Sequence, residues 1–173
     1  MGSPFLDLVN DRVVVYDGAF GTYVQTLDGL TADDFGGEEF DGCNEMLAVT
    51  RPDVIAGLHE TYFAVGCDVT ETATFGAFAI PLAEYGIADR TYDLNVAAAR
   101  IAKDVAGDFS ADGSPRFVAG SIGPGTKMPT LGHITYRELH DAYQEQARGL
   151  LDGGVDLFLI ESQNDLLLSL IHI

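Results

Sequence analysis

The sequence predicts an α/β fold in which about four strand–helix units build a parallel sheet. Four short apolar segments each end in polar or glycine-rich loops, and amphipathic segments of roughly four turns separate them. The first apolar segment, Val-Val-Val at 13–15, is a continuous β-branched run, which is typical of strands covered on both faces. Because helices connect successive strands, the strands are expected to run parallel.

The first strand leads into Asp17, where we predict a binding site. Gly18 and Gly21 follow at once, so the backbone can turn sharply and bring main-chain N–H groups close to whatever Asp17 faces. A carboxylate can bind the ammonium group of an amino acid, and free amide N–H groups beside it can bind the carboxylate group. The same stretch also fits a simpler interpretation, in which Asp17 only caps a short helix over 20–27.

The second unit begins with a long acidic segment, 28–42, which is either a functional loop or a mobile one. Thr50 and Asp53 have the spacing of a capping box and predict the start of a helix that ends at Gly66. His59 lies on the apolar stripe of this helix and is interpreted as a packing residue. A strand at 68–72 follows.

The third and fourth units repeat this plan. A helical stripe over 94–105 precedes a strand at 116–122. Thr135 and Glu138 form a second capping box, and the helix that begins there leads to a strand that ends directly before Glu161.

Carboxylates lie at the ends of three of the predicted strands, as Asp17, Glu71 and Glu161. In a β/α barrel the loops after the strands gather at one face, so these side chains would converge. A doubly wound sheet would also place them at one edge. The periodicity leaves both topologies open.

Composition limits the classes of partner. The chain of 173 residues carries 9 Lys+Arg against 27 Asp+Glu, a formal net charge of -18. Repulsion from a phosphate backbone argues against nucleic acid. No apolar run approaches the ~18 residues of a membrane span, and no secretion signal is evident at the amino end. We therefore expect a cytoplasmic protein with neither a nucleic-acid nor a membrane partner.

Six short motifs stand in a fixed order along the chain. They are Asp-Gly-Ala-Phe-Gly-Thr at 17–22, Gly-Cys-Asn-Glu at 42–45, Thr-Arg-Pro at 50–52 with His59 and Tyr62, Glu-Thr-Ala-Thr-Phe at 71–75, Gly-Ser-Ile-Gly-Pro at 120–124 and Leu-Ile-Glu at 159–161. In this order they resemble the motifs of homocysteine S-methyltransferase domains, from Val13 to about Leu167. Through 132–136 and 153–161, the chain is most similar to the N-terminal homocysteine-binding modules of cobalamin-dependent methionine synthases.

The resemblance implies a (β/α)8 TIM barrel, a fold that typically needs ~250 residues. The chain would supply its N-terminal half, about four βα units, as a partial homocysteine-binding domain over residues 1–167. Residues 168–173 do not match the family and are interpreted as a truncated or misread end.

The resemblance also implies cofactors of a full-length parent, zinc and cobalamin. Zinc, held by three cysteine thiolates of later strands, binds the homocysteine sulfur and lowers its pKa, so that a thiolate accepts the methyl group. Cys43 and Cys67 match none of those ligands and have no closely spaced cysteine or histidine. We expect no metal ligand and no catalytic residue in this chain, and no cofactor bound to it alone.

Amino-acid recognition is the part of the site that the resemblance places in this chain. Asp17 and Glu161 match the carboxylates that bind the homocysteine ammonium, and the backbone at 18–20 matches the cradle for its carboxylate. For Glu71, an ordinary solvated side chain at a strand end is an equally good interpretation. The predicted substrate-binding residues are Asp17, Gly18, Ala19, Phe20, Glu71, Thr74 and Glu161.

The function that the resemblance implies is that of a methionine synthase fragment. The full-length parent would transfer a methyl group from methyltetrahydrofolate, through cobalamin, to homocysteine and give methionine. Folate- and cobalamin-binding modules of the same parent chain would be its partners, and the fragment alone would be inactive. Two alternatives stay open: a fragment of a stand-alone homocysteine methyltransferase that uses betaine or S-methylmethionine, and a non-catalytic small-ligand binding protein.

Overall fold

A computed structural model of the protein describes residues 3–110 and 113–166. Its strands are β1 (Val69–Glu71), β2 (Phe117–Ile122) and β3 (Leu157–Ile160). Its helices are α1 (Pro4–Asp11), α2 (Phe20–Thr26), α3 (Ala32–Phe35), α4 (Leu47–Thr50), α5 (Pro52–Ala64), α6 (Ala79–Leu82), α7 (Thr91–Phe109) and α8 (Tyr136–Gly153). Short 3₁₀ helices lie at Glu38–Phe40, Asn44–Met46, Ala83–Tyr85, Ala88–Arg90 and Pro129–Leu131. The predicted boundary after residue 167 and the unmatched end, 168–173, lie outside the described residues.

The three strands form one parallel sheet in the order β1-β2-β3. Val69 pairs with Phe117 across the first ladder, and Ala119 pairs with Leu157 across the second. Long helices connect the strands, with α7 before β2 and α8 before β3. The prediction of a parallel α/β fold is therefore confirmed.

The prediction of a full strand over residues 13–15 is wrong. One parallel bridge joins Tyr16 to Val69, and Val13 is 82% exposed. The segment runs beside β1, where the backbone N–H of Asp68 donates to the Val15 carbonyl. Val13 and Val15 are both exposed, so the β-branched side chains there are not covered on both faces.

The helices α5, α7 and α8 pack side by side against the sheet. Glycines let α8 approach α7 closely, because a Cβ at Gly153 would lie 2.4 Å from the Cβ of Ala99. Gly149 meets Asn95 in the same way, at 2.8 Å. The contact between these two helices thus depends on small residues.

The two predicted capping boxes have different outcomes. Thr135 caps α8, and the Thr135 and Glu138 side chains exchange hydrogen bonds with each other's backbone N–H groups, as predicted. Thr50 instead belongs to α4 and donates to the Met46 carbonyl. Its predicted partner, Asp53, is paired with Arg51, so the box predicted for α5 is wrong.

One face of the sheet leads directly into the candidate site. Because successive side chains of a strand point to opposite faces, every second residue lies on this face. Its apolar members are Val69, Phe117, Ala119, Leu157 and Leu159, which α1 covers with Phe5 and Leu8. Two residues beyond the last apolar one, each strand presents a polar side chain: Glu71, Ser121 and Glu161 respectively.

Candidate functional site

The carboxyl ends of the strands surround a cavity of about 460 Å³. Its walls come from the backbone turn at 17–21, from Asn44 and Glu45, from the end of β1 with its following loop, and from the ends of β2 and β3. Segments far apart in sequence therefore meet at one edge of the sheet.

Asp17 is anchored at the cavity wall through one of its two carboxylate oxygens. Thr70 Oγ1 donates to Asp17 Oδ2 over 2.6 Å, and the backbone N–H of Glu71 donates to the same oxygen over 2.9 Å. The other oxygen, Oδ1, is buried and has no hydrogen-bond partner within the described ranges. Burial raises the pKa of Asp17, and the charge of Glu161 adds to the rise. The residue that caps α2 is Ala19, so the interpretation of Asp17 as a helix cap is wrong.

Glu71 ends β1 and Glu161 directly follows β3, the two strands that flank β2. Ser121, on β2 between them, donates its hydroxyl to Glu161 Oε1. Burial, followed by the charges of Glu161 and Asp17, raises the pKa of Glu71 to about 7. A carboxylate with this pKa is half protonated near neutral pH, and the arrival of a positive charge would ionise it fully.

Glu45 is a fourth carboxylate in the cavity wall. The backbone N–H of Gly76 donates to Glu45 Oε1 over 3.0 Å, which ties the loop after β1 to the 3₁₀ helix at Asn44–Met46. A Cβ at Gly76 would lie only 2.7 Å from this oxygen, so glycine suits the close approach. Burial raises the pKa of Glu45.

The cavity is therefore strongly anionic. Among the described residues that line it, four are carboxylates and none is Lys, Arg or His. Buried carboxylates are costly unless a cation or hydrogen-bond donors compensate them. The arrangement favours a ligand that carries an ammonium group and disfavours phosphates.

Free backbone donors lie beside these carboxylates. In the part of the chain that the structure describes, the N–H groups of Gly18, Ala19 and Phe20 find no acceptor. The ring of Tyr62 packs directly behind this turn, because a Cβ at Gly18 would lie 2.7 Å from Tyr62 Oη. A larger residue at position 18 would force this tyrosine to move.

The structure brings six of the seven predicted substrate-binding residues together. The residues that line the cavity are Asp17, Gly18, Ala19, Phe20, Glu71 and Glu161. Thr74 does not line it and is fully buried. Its hydroxyl donates to the Ser121 carbonyl, and Gln146 on α8 donates to the Thr74 carbonyl, both over 2.8 Å. Thr74 thus lies behind the wall of the cavity, and its predicted contact with the substrate stays a prediction.

The sequence analysis missed several lining residues. Ser121 could have been found from the period of two along its strand, which places it two positions beyond Ala119 on the inner face. Asn44 and Glu45 lie in a matched motif, but the segment before them has no periodicity that fixes its path. Thr72 and Phe75, from the loop after β1, complete the wall.

The described residues do not fit a zinc ion. Within 3–110 and 113–166, no group of three or more His, Cys, Asp or Glu side chains is arranged to hold a metal. Cys43 is fully buried, and burial raises its pKa to about 11, so it is a neutral thiol. Cys67 is buried at the opposite end of β1 and donates to the Tyr16 carbonyl over 3.3 Å.

A parallel α/β sheet with a ligand-sized cavity at the carboxyl ends of its strands is typical of α/β domains that bind small molecules. A sequence profile described as homocysteine S-methyltransferase matches residues 14–169, and the chain belongs to this family.

Curated relatives include two mycobacterial proteins. The chain is 51% identical over 162 residues to the methionine synthase of Mycobacterium tuberculosis (strain ATCC 25618 / H37Rv), a match that covers 94% of this chain and 13% of the relative. It is 49% identical over 162 residues to the methionine synthase of Mycobacterium leprae (strain TN), with the same coverage, 94% and 13%. The chain thus spans 13% of the length of these relatives.

Solved structures share the fold. The homocysteine methyltransferase MmuM from Escherichia coli, in its oxidised form, has a TM-score of 0.81 at 20% identity, over 99% of this chain and 60% of that one. Its metallated form has a TM-score of 0.80 at 20% identity, over 98% and 60%. Separately, none of the helices in the described part of the chain is long and apolar enough to cross a membrane.

Proposed function

We propose that this chain is the N-terminal part of the homocysteine-binding (β/α)8 barrel of a methionine synthase, with residues 1–167 as the partial domain. The 51% identity to a methionine synthase supports this assignment. Because the chain spans 13% of that relative, we propose that the rest of the barrel and the folate- and cobalamin-binding modules belong to the same parent chain.

One observation carries the proposal: Asp17 Oδ1 is a buried carboxylate oxygen with no partner within the described ranges, at the wall of an anionic cavity. Leaving such an oxygen unpaired costs free energy, whereas an ammonium group donates three hydrogens. Glu161, which Ser121 orients, and Glu71 lie on the same cavity wall. We assign the ammonium of homocysteine to these three carboxylates.

The homocysteine carboxylate needs donors, and the free N–H groups at 18–20 are the ones available beside Asp17. With its ammonium on Asp17, Glu71 and Glu161 and its carboxylate on this turn, the amino acid is held at one end. Its side chain then extends away from the acidic wall. This matters chemically because a thiolate would be disfavoured close to four carboxylates.

The reaction that we propose for the parent is methyl transfer from methyltetrahydrofolate, through cobalamin, to the homocysteine thiolate, which gives methionine. Zinc, when bound by residues of the parent outside this chain, would lower the thiol pKa. This chain would bind and orient the amino-acid end, and alone it would be inactive. Both cysteines are free, which suits the reducing cytoplasm in which we place the protein.

A second candidate is a stand-alone homocysteine methyltransferase that uses betaine or S-methylmethionine. The fold match to MmuM, with a TM-score of 0.81, is the observation in its favour. Sequencing of the gene beyond this chain separates the two, because a methionine synthase continues into further modules after the barrel.

Kinetics of the full-length protein test the proposed site. Asp17→Asn and Glu161→Gln each remove a charged hydrogen bond to the ammonium, which contributes about 1.5 to 3 kcal/mol. We expect each variant to raise the KM for homocysteine, or to lower kcat/KM, by tenfold or more.

Glu60→Gln is the matched control, because Glu60 is exposed on α5 and does not line the cavity. It should leave both constants unchanged. Wild-type kinetics in both cavity variants would remove Asp17 and Glu161 from the site.

A further inference from the structure

A buried chain of hydrogen bonds runs from α5 to the cavity wall. His59 is fully buried on α5, and its Nδ1 lies 2.7 Å from Thr70 Oγ1. Thr70 is equally buried and donates to Asp17 Oδ2 over 2.6 Å. We propose that His59 and Thr70 are positioning residues that fix the Asp17 carboxylate with its other oxygen free for the ligand ammonium. This inference rests on the proposed function.

The direction of the hydrogen bonds follows from counting hydrogens. A hydroxyl has one hydrogen to donate, and an ionised carboxylate can only accept. The Thr70 hydrogen therefore points to Asp17, and the hydrogen between His59 and Thr70 must come from His59 Nδ1. This selects the tautomer of His59 that carries its hydrogen on Nδ1.

The surroundings of His59 keep it in that form. Its Nε2 is buried and has no partner among the residues that the structure describes, so a second proton there would create an unpaired buried charge. Burial accordingly lowers the pKa of His59 to about 4. At neutral pH, the ring is an uncharged donor aimed at Thr70.

This hydrogen-bond relay, from His59 through Thr70, matters for Asp17 because it supplies one of the two anchors that the carboxylate has among the described residues. Thr70 and the Glu71 N–H both bind Oδ2, whereas Oδ1 is buried without a partner among the described residues. With the Glu71 N–H alone, the carboxylate could rotate about χ2, a torsion with a broad energy well. Loss of the relay should therefore weaken binding of the ammonium and leave the transfer step untouched.

The first test compares Thr70→Val, which removes the hydroxyl at nearly constant shape, with Thr70→Ser, which keeps it. In the full-length protein we expect Thr70→Val to raise the KM for homocysteine by about 5- to 20-fold with kcat within about twofold, as for loss of one charged hydrogen bond. Thr70→Ser should stay within about threefold of wild type.

A ligand without the amino group separates positioning from general damage. The probe is 4-mercaptobutyrate, which keeps the thiol and the carboxylate of homocysteine. Its inhibition constant should be the same in wild type, Thr70→Val and Thr70→Ser, because it has no ammonium to place on Asp17. A distorted cavity would instead weaken the binding of 4-mercaptobutyrate as well.

A second pair of variants covers the case in which Thr70→Val does not fold. His59→Asn and His59→Leu have similar volumes, but only asparagine carries an N–H donor near the position of Nδ1. The asparagine variant should retain a KM within about threefold of wild type, and the leucine variant should show the 5- to 20-fold rise expected for loss of the anchor.

The outcomes separate this inference from the proposed function. If Asp17→Asn itself leaves the KM unchanged, the proposed function fails. The relay is overturned if Asp17→Asn raises the KM tenfold while Thr70→Val and His59→Leu do not raise it. It is also overturned if Thr70→Val and His59→Leu weaken the binding of 4-mercaptobutyrate as much as they weaken that of homocysteine. The double variant Asp17→Asn with Thr70→Val should have the same KM for homocysteine as Asp17→Asn alone, because both changes act on one interaction.

Discussion

Two aspartates at opposite ends of the same parallel sheet, the buried Asp68 and the half-buried Asp17, show how the protein uses charge. Asp68 precedes β1 and accepts two hydrogen bonds from Arg12, at 2.8 and 2.6 Å, and one from the Val15 N–H at 2.9 Å. Arg12 holds the pKa of Asp68 below its usual value, whereas burial holds the pKa of Asp17 above it.

The difference lies in what neutralises each charge. The amino end of the sheet supplies its carboxylate with a cation from the chain itself, so Asp68 contributes to stability. Within the described residues, the cavity end supplies its carboxylates with neutral donors, from Thr70, Ser121 and backbone N–H groups. Unpaired carboxylates lower the stability of the free protein, and a bound cation recovers that cost.

The largest expected effect is on stability, and it should separate the two aspartates. Asp68→Asn should lower the free energy of unfolding by about 2 kcal/mol, because charged hydrogen bonds at a buried site are lost. Asp17→Asn should leave stability unchanged or raise it, because a neutral side chain replaces a poorly compensated carboxylate. Urea unfolding near pH 7 measures both, and equal losses in the two variants would contradict the comparison.

The next effect is the dependence of stability on pH that His59 causes. This residue lies behind the wall of the cavity. The unfolded chain protonates a histidine near pH 6.5, whereas folded His59 stays neutral down to about 4. Stability from this residue is therefore fully present above pH 6.5 and falls as the pH drops towards 4. At pH 5 the loss should be about 2 kcal/mol.

His59→Asn removes the titrating ring and serves as the comparison in the same unfolding experiment at pH 7.5 and 5. Its stability should fall less than that of the wild type between these two values. An identical fall in both proteins would show that His59 does not remain neutral in the fold.

The smallest stability effect should come from Glu71. Its folded pKa of about 7 exceeds the ordinary value of 4.5, so its contribution to stability is lost as the pH rises from about 4.5 through 7. Because the side chain keeps some contact with solvent, we expect Glu71→Gln to stabilise the protein by only about 1 kcal/mol near pH 8. Unfolding at pH 8 and 4, with exposed Glu60→Gln as the control, measures this. A gain in the free energy of unfolding that persists at pH 4 would not come from removing the charge of Glu71.

The features that were predicted correctly from the sequence are those that depend on local sequence patterns. The strands β2 and β3, the α5, α7 and α8 helices, and the meeting of Asp17, Glu71 and Glu161 follow from periodicity and from the geometry of parallel strands. The capping box at Thr135 formed because its helix begins there. The same spacing at Thr50 failed because a preceding helical turn, α4, includes that threonine.

Other features depend on neighbours that a linear pattern does not reveal. The run at 13–15 has strand propensity but lies at the edge of the described sheet, and the one bridge there is made by the next residue, Tyr16, with Val69. His59 has the position of a packing residue on its helix, and only the fold places its Nδ1 against Thr70. Glu45 reaches the cavity through an irregular segment whose path no periodicity fixes.

Binding of methionine, the proposed product, is the most direct test of the claim that the cavity end is an ammonium site. Methionine carries the same ammonium and carboxylate as homocysteine but no ionisable thiol. Isothermal titration calorimetry of the full-length protein at pH 7, in buffers of different ionisation enthalpy, reports the protons exchanged on binding. We predict a net release of about half a proton, since the ammonium displaces the proton that Glu71 holds half of the time at its pKa of about 7. This release should disappear in Glu71→Gln. Proton uptake, or binding that is independent of the buffer in the wild type, would contradict the account.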